Sequence, residues 1–264
     1  MWYGVANKSN LNLPLNRNFT QEKLPQRIYL IAALQQSNAP TIMWFRQDLR
    51  LADNPALCAA CERGEIIPVY ILDDQGADSW KMGGASRWWL HHALEDLNDS
   101  LKQGLQLFQG DALTILRDLA VQTGAAAITW NRCYEPWRIA RDAILKTALK
   151  DDGLEVQSFN GSLLWEPWQV LKKDGTPYRV FTPYYRRGCL SVAAPRRPLE
   201  PPKGISLSEN SAHSLLLEDL NLLPKINWDE QMKVRWNISE AAAHERLDEF
   251  VMDELQDYRE GRNF

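Results

Sequence analysis

Cysteine and long apolar stretches are scarce in this sequence. Its four cysteines, Cys58, Cys61, Cys133 and Cys189, follow no regular spacing, which excludes the disulfide framework of a small secreted protein. No apolar run approaches the roughly 20 residues that a membrane span needs, and residues 28–34 with their flanks make a poor signal peptide. We therefore expect a cytoplasmic protein without a membrane span.

The chain also lacks an excess of basic residues. Its 30 lysines and arginines face 34 aspartates and glutamates, which gives a net charge of −4, whereas domains that grip nucleic acid by charge alone are usually basic. The arginine pairs at 186–187 and 196–197 form a local basic patch, which we interpret as a solvated loop. Contact with nucleic acid would need such a patch or a region outside this chain.

Neither of the common glycine-rich phosphate loops is present. The chain has no Gly-x-Gly-x-x-Gly and no Gly-x-x-x-x-Gly-Lys, the motifs with which dinucleotide enzymes and P-loop proteins cradle phosphates. A nicotinamide-dependent dehydrogenase is therefore disfavoured.

Apolar strands alternate with amphipathic helices over residues 40–160. Short runs rich in β-branched and aromatic residues predict five strands, at 41–45, 66–72, 105–108, 126–130 and 154–159. Apolar residues three and four apart predict helices at 54–63, 85–103, 111–123 and 136–150. Asp111, Pro136, Gly104 and Gly124 stand where a helix begins or ends. The pattern predicts an α/β fold, a doubly wound five-stranded parallel sheet of the Rossmann-like type, with a binding crevice at the carboxyl ends of the strands.

The regions on either side of this pattern have a different character. Residues 1–39 show no sustained period, and we interpret them as a leader of uncertain structure. Residues 161–236 accumulate prolines and predict a long interdomain linker, after which Ser239 opens an amphipathic helix within 237–264. Its apolar stripe comprises Ala243, Leu247, Phe250, Val251, Leu255 and Tyr258. Since one helix cannot bury its own stripe, we expect it to begin a second, helical domain or to dock on another chain.

Charged residues of alternating sign follow the first predicted strand. Arg46, Asp48, Arg50 and Asp53 stand where the crevice is expected. Two interpretations are open, namely ion pairs that belong to a binding site and ion pairs that only fix the loop.

Several sequence motifs occur in a characteristic order. They are WFRQDLRLADNPAL, GGASRWWLHHALEDL, LFQGD, WNRCYEPW, GTPYRVFTPYYRR and YREGRNF. Over residues 40–264 they resemble the amino-terminal half of DNA photolyases and cryptochromes. The resemblance implies an α/β antenna domain at 40–160, the linker at 161–236, and at 237–264 the first helix of a truncated FAD-binding domain. In that family an antenna chromophore passes excitation to reduced FAD, whose electron splits a cyclobutane pyrimidine dimer.

The resemblance also implies roles for individual residues. Glu135 of WNRCYEPW matches a carboxylate that touches the antenna chromophore, and Arg87 and Tyr70 match positions that line a deazaflavin site. Tyr258 matches a residue near the FAD phosphates, and Arg262 matches one that approaches the DNA backbone. No catalytic residue is assigned within this chain.

Two residues bear on the identity of the chromophore. Trp137 stands at a strand exit, and we expect it to neighbour the chromophore. Cys133 stands where deazaflavin-type members of the family place an aspartate, so methenyltetrahydrofolate is favoured over deazaflavin. FAD and damaged DNA are expected as partners of a full-length protein only, and this chain alone is expected to bind no FAD tightly and to be inactive.

Two pairs of reactive side chains are predicted to be structural. Cys58 and Cys61 lie inside a predicted helix beside alanines, which favours packing over redox chemistry. His91 and His92 lie in the middle of another predicted helix. We expect a polar helix face there rather than a metal site, on the view that no ligand partner stands at i+4.

Three hypotheses about function are carried forward. The leading one is a photolyase, with light-driven DNA repair as the activity of the full-length protein. A cryptochrome-type photoreceptor shares the features visible in this chain. The third, from a different class, is a stand-alone α/β module that binds a small molecule, or a remnant without activity.

Overall fold

A computed structural model of the chain describes residues 39–74 and 80–263. The leader predicted at 1–39 lies outside the described residues except for its last residue. In the described part of the chain, no helix is long and apolar enough to cross a membrane.

A five-stranded parallel sheet forms the centre of the fold. The strands are β1 (Thr41–Phe45), β2 (Ile66–Leu72), β3 (Gln106–Gln109), β4 (Ala127–Asn131) and β5 (Glu155–Phe159). Their order in the sheet is β3-β2-β1-β4-β5, and Ile42 of β1 pairs with Ile67 of β2 and Ile128 of β4. Every residue of β1, β2 and β4 is buried, as expected for strands covered on both faces. The predicted doubly wound α/β fold is confirmed.

Four helices connect the strands and cover the sheet. They are α1 (Pro55–Arg63), α2 (Gly84–Ser100), α3 (Ala112–Thr123) and α4 (Pro136–Asp151). Asp111 caps α3 by accepting from the backbone N–H of Thr114, and Gly124 ends it at a φ of 68°, the left-handed conformation that glycine adopts without strain. The predicted helix end at Gly104 is wrong: α2 ends at Ser100, and Lys102 and Gln103 take the positive φ values instead.

The sheet separates two apolar layers. On one face Met43, Phe45 and Tyr70 pack with α1 and α2. On the other face Trp44 and Trp130 pack with α3 and α4, their ring centroids 5.7 Å apart in an edge-on arrangement. Alternation along each strand therefore distributes consecutive residues between the two layers.

The segment predicted as a linker returns to the sheet. Ile66 donates to the carbonyl of Ser206 and accepts from the N–H of Ser208, and Leu215 donates to the carbonyl of Leu107. Its apolar side chains also pack on the α1 and α2 layer, with Leu220 and Leu222 fully buried there. This part of the chain therefore contributes to the core.

Short helical segments occur along the rest of the chain. They are α5 (Phe181–Pro183), a π-helical turn (Tyr184–Gly188), 3₁₀ turns (Cys189–Ser191 and Leu217–Leu220), α6 (Glu230–Arg235), α7 (Glu240–Glu249), a second π-helical turn (Phe250–Glu254) and α8 (Tyr258–Gly261). Ser239 caps α7 by accepting from the N–H of Ala242, as its position before the stripe predicts. The predicted carboxyl-terminal helix thus consists of α7, the π-helical turn and α8.

The apolar stripe of this segment faces solvent. Leu247 is 55 % exposed, Val251 50 % and Leu255 49 %. Within the described residues, none of those in α7 or α8 is buried. In the part of the chain that the structure describes, the stripe is therefore left uncovered, and its expected place in a second helical domain stays a prediction.

We expect α3 to tolerate the loss of an exposed apolar side chain but not the loss of a buried one. Leu116→Ala removes a fully buried side chain and should lower the free energy of unfolding by about 2–5 kcal/mol. Val121→Ala, on the same helix but 84 % exposed, should change it by less than about 0.5 kcal/mol. Urea unfolding followed by circular dichroism measures both, and equal effects would contradict this packing.

Candidate functional site

The crevice lies where the connections leave the sheet in opposite directions. β1 continues to β2 on one side, whereas β4 continues to β5 on the other. Ligands of doubly wound folds bind outside the carboxyl ends of the strands at such a switch point. The residues that follow β1 and end β4 therefore define the site.

A buried polar cluster closes the floor of the crevice. The side-chain amide of Asn131, at the end of β4, donates to Asp48 Oδ2 at 2.5 Å and to Asn54 Oδ1 at 2.7 Å. Its Oδ1 accepts from the N–H of Ala56 at 3.2 Å. A Cβ at Gly161 would lie 2.6 Å from Asn131 Cγ, so only glycine lets the chain pass over this side chain.

Arg46 is the buried cation of the crevice. Its guanidinium donates to Asp142 of α4 at 2.5 Å and to the carbonyl of Asn131. It also lies over the rings of Trp44 and Trp130, with centroid distances of 4.9 Å and 5.9 Å. Pairing and stacking together compensate the removal of this charge from water.

The other charges of the loop after β1 fix its conformation. Arg50 donates to the carbonyl of Gly161 at 2.7 Å, and its guanidinium lies 3.7 Å from the carboxylate of Asp53. Asp53 accepts from Arg196 and from the N–H of Leu199. Burial acts to raise the pKa of Asp53, but these hydrogen bonds and the Arg196 charge outweigh it and lower the pKa. The contacts favour the interpretation in which the alternating charges fix the loop.

A small cleft beside β2 brings several of the predicted residues together. Tyr70 and Trp137 line it, and Arg87 pairs with Asp74, which also lines it. The guanidinium groups of Arg138 and Arg141 lie over the ring of Trp137, at 4.9 Å and 5.1 Å from its centroid. The cleft has a volume of about 50 Å³, whereas sites for drug-sized ligands usually measure about 300–1,000 Å³.

Glu135 stands at the rim of the crevice, directly before the first turn of α4. Its Oε1 accepts from Gln47 at 2.8 Å and from Arg138 at 3.2 Å, whereas its Oε2 is buried and has no hydrogen-bond partner within the described part of the chain. Burial acts to raise the pKa of Glu135, but hydrogen bonds and the charges of Arg138 and Arg46 outweigh it and lower the pKa. The side chain is therefore a carboxylate near neutral pH with one acceptor oxygen to spare.

Cys133 is buried beside this rim. Its sulfur lies 3.7 Å from Nη1 of Arg138. Burial raises the pKa of the thiol despite the nearby arginines, so Cys133 presents no negative charge to the cleft.

The structure places Tyr258 and Arg262 elsewhere. Tyr258 begins α8, is 49 % exposed and packs edge-on against Phe250. Arg262 follows α8 and is exposed. Neither residue lines the cleft or the polar cluster.

Several residues of the site were not predicted from the sequence. They are Asn131, Asp142, Arg138, Arg141 and a partly buried group formed by Arg132, Tyr134 and Glu166. Glu166 Oε1 accepts from Arg132 Nε and from the Tyr134 hydroxyl, each at 2.9 Å. A sequence signal existed for some of them, because Arg138 and Arg141 stand three residues apart in the first turns of a helix that leaves a strand end.

Comparison with known proteins identifies the family of this chain. A parallel α/β domain with a charged crevice at its switch point is matched over residues 41–203 by the model of the DNA photolyase family. The chain belongs to that family.

The similar proteins include both branches of the family. The deoxyribodipyrimidine photo-lyase of Agrobacterium fabrum is 45 % identical over 231 residues, covering 86 % of this chain and 47 % of the relative. Cryptochrome-2 of Arabidopsis thaliana is 33 % identical over 227 residues, covering 83 % of this chain and 37 % of the relative. The crystal structure of a bacterial class III photolyase from Agrobacterium tumefaciens superposes with a TM-score of 0.80 at 44 % identity, covering 86 % of this chain and 47 % of that one. The chain thus spans less than half the length of these relatives.

We expect the Asn131 cluster to be required for a stable crevice. Asn131→Ala removes the donors to Asp48 and Asn54 and leaves a buried carboxylate short of a partner, which should cost about 2–4 kcal/mol of unfolding free energy. Asn237→Ala, at an exposed position, should change it by less than about 0.5 kcal/mol. Urea denaturation provides the comparison, and a loss of under about 1 kcal/mol for Asn131→Ala would count against a structural role for the cluster.

Proposed function

We propose that this domain is the light-harvesting part of a photolyase-type flavoprotein and that its antenna chromophore is methenyltetrahydrofolate. The observation that carries the proposal is the unpartnered Oε2 of Glu135, buried at the rim of the crevice. A buried acceptor without a donor costs free energy that a ligand can recover.

The chemistry of a pterin suits this carboxylate. The aminopyrimidinone edge of a folate carries adjacent N–H donors, and a carboxylate accepts hydrogen bonds from such a pair. Gln47 and Arg138 bond to Oε1 of Glu135 and leave Oε2 without a donor. The side chain as a whole is 40 % exposed, so a ligand at the rim can reach it once the carboxylate turns. When bound, the folate supplies the absorption of light and the transfer of its excitation. The chain supplies position: Arg138, which bonds to Oε1 of Glu135, also lies over the ring of Trp137 near the same rim.

The cleft near Tyr70 and Arg87 offers less support for a deazaflavin. Its volume of about 50 Å³ is far below that of a site for a three-ring chromophore. The Arg87 guanidinium is paired with Asp74, and the ring of Trp137 is already covered by two guanidinium groups. A buried thiol at Cys133 adds no charge with which to orient such a ligand.

The activity that we propose for the full-length protein is light-driven repair of cyclobutane pyrimidine dimers. The 45 % identity to a deoxyribodipyrimidine photo-lyase supports repair, and the 33 % identity to cryptochrome-2 is the observation that keeps a photoreceptor as the second candidate. FAD does not fit the described residues, because Tyr258 and Arg262 are both exposed there. Damaged DNA is the proposed partner of the full-length protein, with Arg262 as a contact to the DNA backbone.

A cytoplasmic location belongs to this proposal, since all four cysteines are free thiols.

We expect Glu135 to control folate binding. Titration of the chain with methenyltetrahydrofolate, followed by fluorescence, should give a saturable complex that Glu135→Gln weakens at least about tenfold, since a hydrogen bond to a charged group contributes about 1.5–3 kcal/mol. The exposed Glu62→Gln serves as the matched control and should bind as the unaltered chain does. Tighter binding of deazaflavin than of folate would contradict the chromophore assignment, and binding of neither would support an inactive remnant.

Flavin content and repair activity together distinguish the remaining hypotheses. The purified chain should show no stoichiometric flavin absorbance, because in the described part of the chain no residue of α7 or α8 is buried. The full-length flavoprotein should split thymine dimers in blue light. The measurement is the recovery of the ultraviolet absorbance that the thymines lose when they form a dimer. A full-length protein that holds reduced flavin and repairs nothing would favour the cryptochrome-type photoreceptor.

A further inference from the structure

A second cavity lies between α2 and the segment that leads into α7. Its volume is about 340 Å³, and its walls include Trp88, His92 and Glu95 from α2 and Trp236 from the opposite side. This cavity is separate from the cleft beside Tyr70, because the two share no lining residue.

Three potential metal ligands lie together on α2, and two of them, His92 and Glu95, line this cavity. One ring nitrogen of His91, one of His92 and one carboxylate oxygen of Glu95 all lie within 4.8 Å of one another. Nδ1 of His92 and Oε2 of Glu95 are 3.3 Å apart. Glu95 stands four residues after His91, so the i+4 partner that we did not expect from the sequence is present. One helical turn brings positions i and i+4 together.

Two buried nitrogens of this cluster have unused hydrogen-bonding capacity. Within the described residues, Nδ1 of His91 and Nε2 of His92 are buried without a hydrogen-bond partner. His91 is only 8 % exposed, and the ring of His92 packs edge-on against Trp88 at 4.8 Å. A buried imidazole nitrogen without a partner is costly, and coordination of a cation is one way to use Nδ1 of His91.

The surroundings favour a positive ion. Asp96 and Asp99 also face the cavity, and the carboxylate of Glu218 acts on His91 from the neighbouring 3₁₀ turn. Lys233, the basic residue of the lining, is paired with Asp229 at 2.9 Å. A cation at the cluster would therefore meet an excess of negative charge.

We propose that His91, His92 and Glu95 bind a Zn²⁺ ion at the wall of this cavity. Two imidazoles and one carboxylate are a ligand set that Zn²⁺ accepts with bonds of about 2.0–2.2 Å. The donor atoms must approach to about 3.3 Å of one another for a tetrahedral site, and the exposed Glu95 side chain is free to rotate inward. Three protein ligands leave the fourth position to water or to a ligand in the cavity. The site does not depend on the proposed antenna function.

Metal binding by the purified, metal-stripped chain tests the site. Competition against a chromogenic chelator should show one equivalent of tightly bound Zn²⁺, and Co²⁺ in its place should give the intense visible bands of a four-coordinate ion. His92→Gln and Glu95→Gln should each weaken binding at least about tenfold. Zn²⁺ should also raise the Tm of the unaltered chain and leave unchanged the Tm of a double variant that carries both His92→Gln and Glu95→Gln.

Matched controls exclude other ligands of the chain. His244→Gln alters a histidine on α7 that lies beside Glu240, and a Cys58→Ser, Cys61→Ser variant removes the Cys-x-x-Cys pair. Both should bind Zn²⁺ as the unaltered chain does, since burial raises the pKa of Cys61 to about 11 and keeps it a thiol. Circular dichroism confirms that each variant is folded.

Two results would overturn the proposal. One is binding by the unaltered chain no tighter than by the folded His92→Gln, Glu95→Gln double variant. The other is loss of the bound Zn²⁺ in either control variant with the α2 cluster intact.

Discussion

The rest of the crevice depends on the hydrogen bonds of the buried Asn131 side chain. One amide connects the end of β4 to the loop after β1 through Asp48 and to the start of α1 through Asn54. Adjacent parallel strands that lead in opposite directions leave a crevice at their ends, and this amide connects the elements on either side of it. The stacked guanidinium of Arg46 donates to the main-chain carbonyl of the same asparagine and joins the loop to α4.

The fold could be predicted to a large extent because its signals are local. The runs TIMWF and IIPVYIL are apolar on every residue, as buried parallel strands require, and Asp111 and Gly124 mark the ends of α3 by their own conformational preferences. The end of α2 was misjudged because a glycine was preferred as a helix stop, whereas Lys102 and Gln103 adopt the left-handed conformation themselves. The return of Ser206, Ser208 and Leu215 to the sheet has no local signal, because it consists of backbone hydrogen bonds to residues more than a hundred positions away.

The site was predictable only where a family motif or a strand end pointed to it. Glu135 was singled out by the motif WNRCYEPW, and its contact with Arg138 is local, three residues on in α4. Its contact with Gln47 is 88 positions distant and follows only from the meeting of two strand ends in space. The pairing of Arg46 with Asp142 spans 96 positions, and the sequence favoured nearer partners in the same loop. The sequence shows that His91 and Glu95 are one helical turn apart. The spacing matters because two histidine ring nitrogens on this helix are buried without a partner, and their burial follows only from the folded structure.

Glu240 connects the carboxyl-terminal segment to the crevice loop. Its two carboxylate oxygens accept from the backbone N–H groups of Leu51 and Ala52, each at 2.7 Å, while its own N–H donates to Asp96 of α2. These are charge-assisted bonds to main-chain atoms, so they bear directly on backbone position. The start of α7 is therefore held to the loop that carries Arg50, so a partner bound to the exposed remainder of the carboxyl-terminal segment would act on the backbone at Leu51 and Ala52.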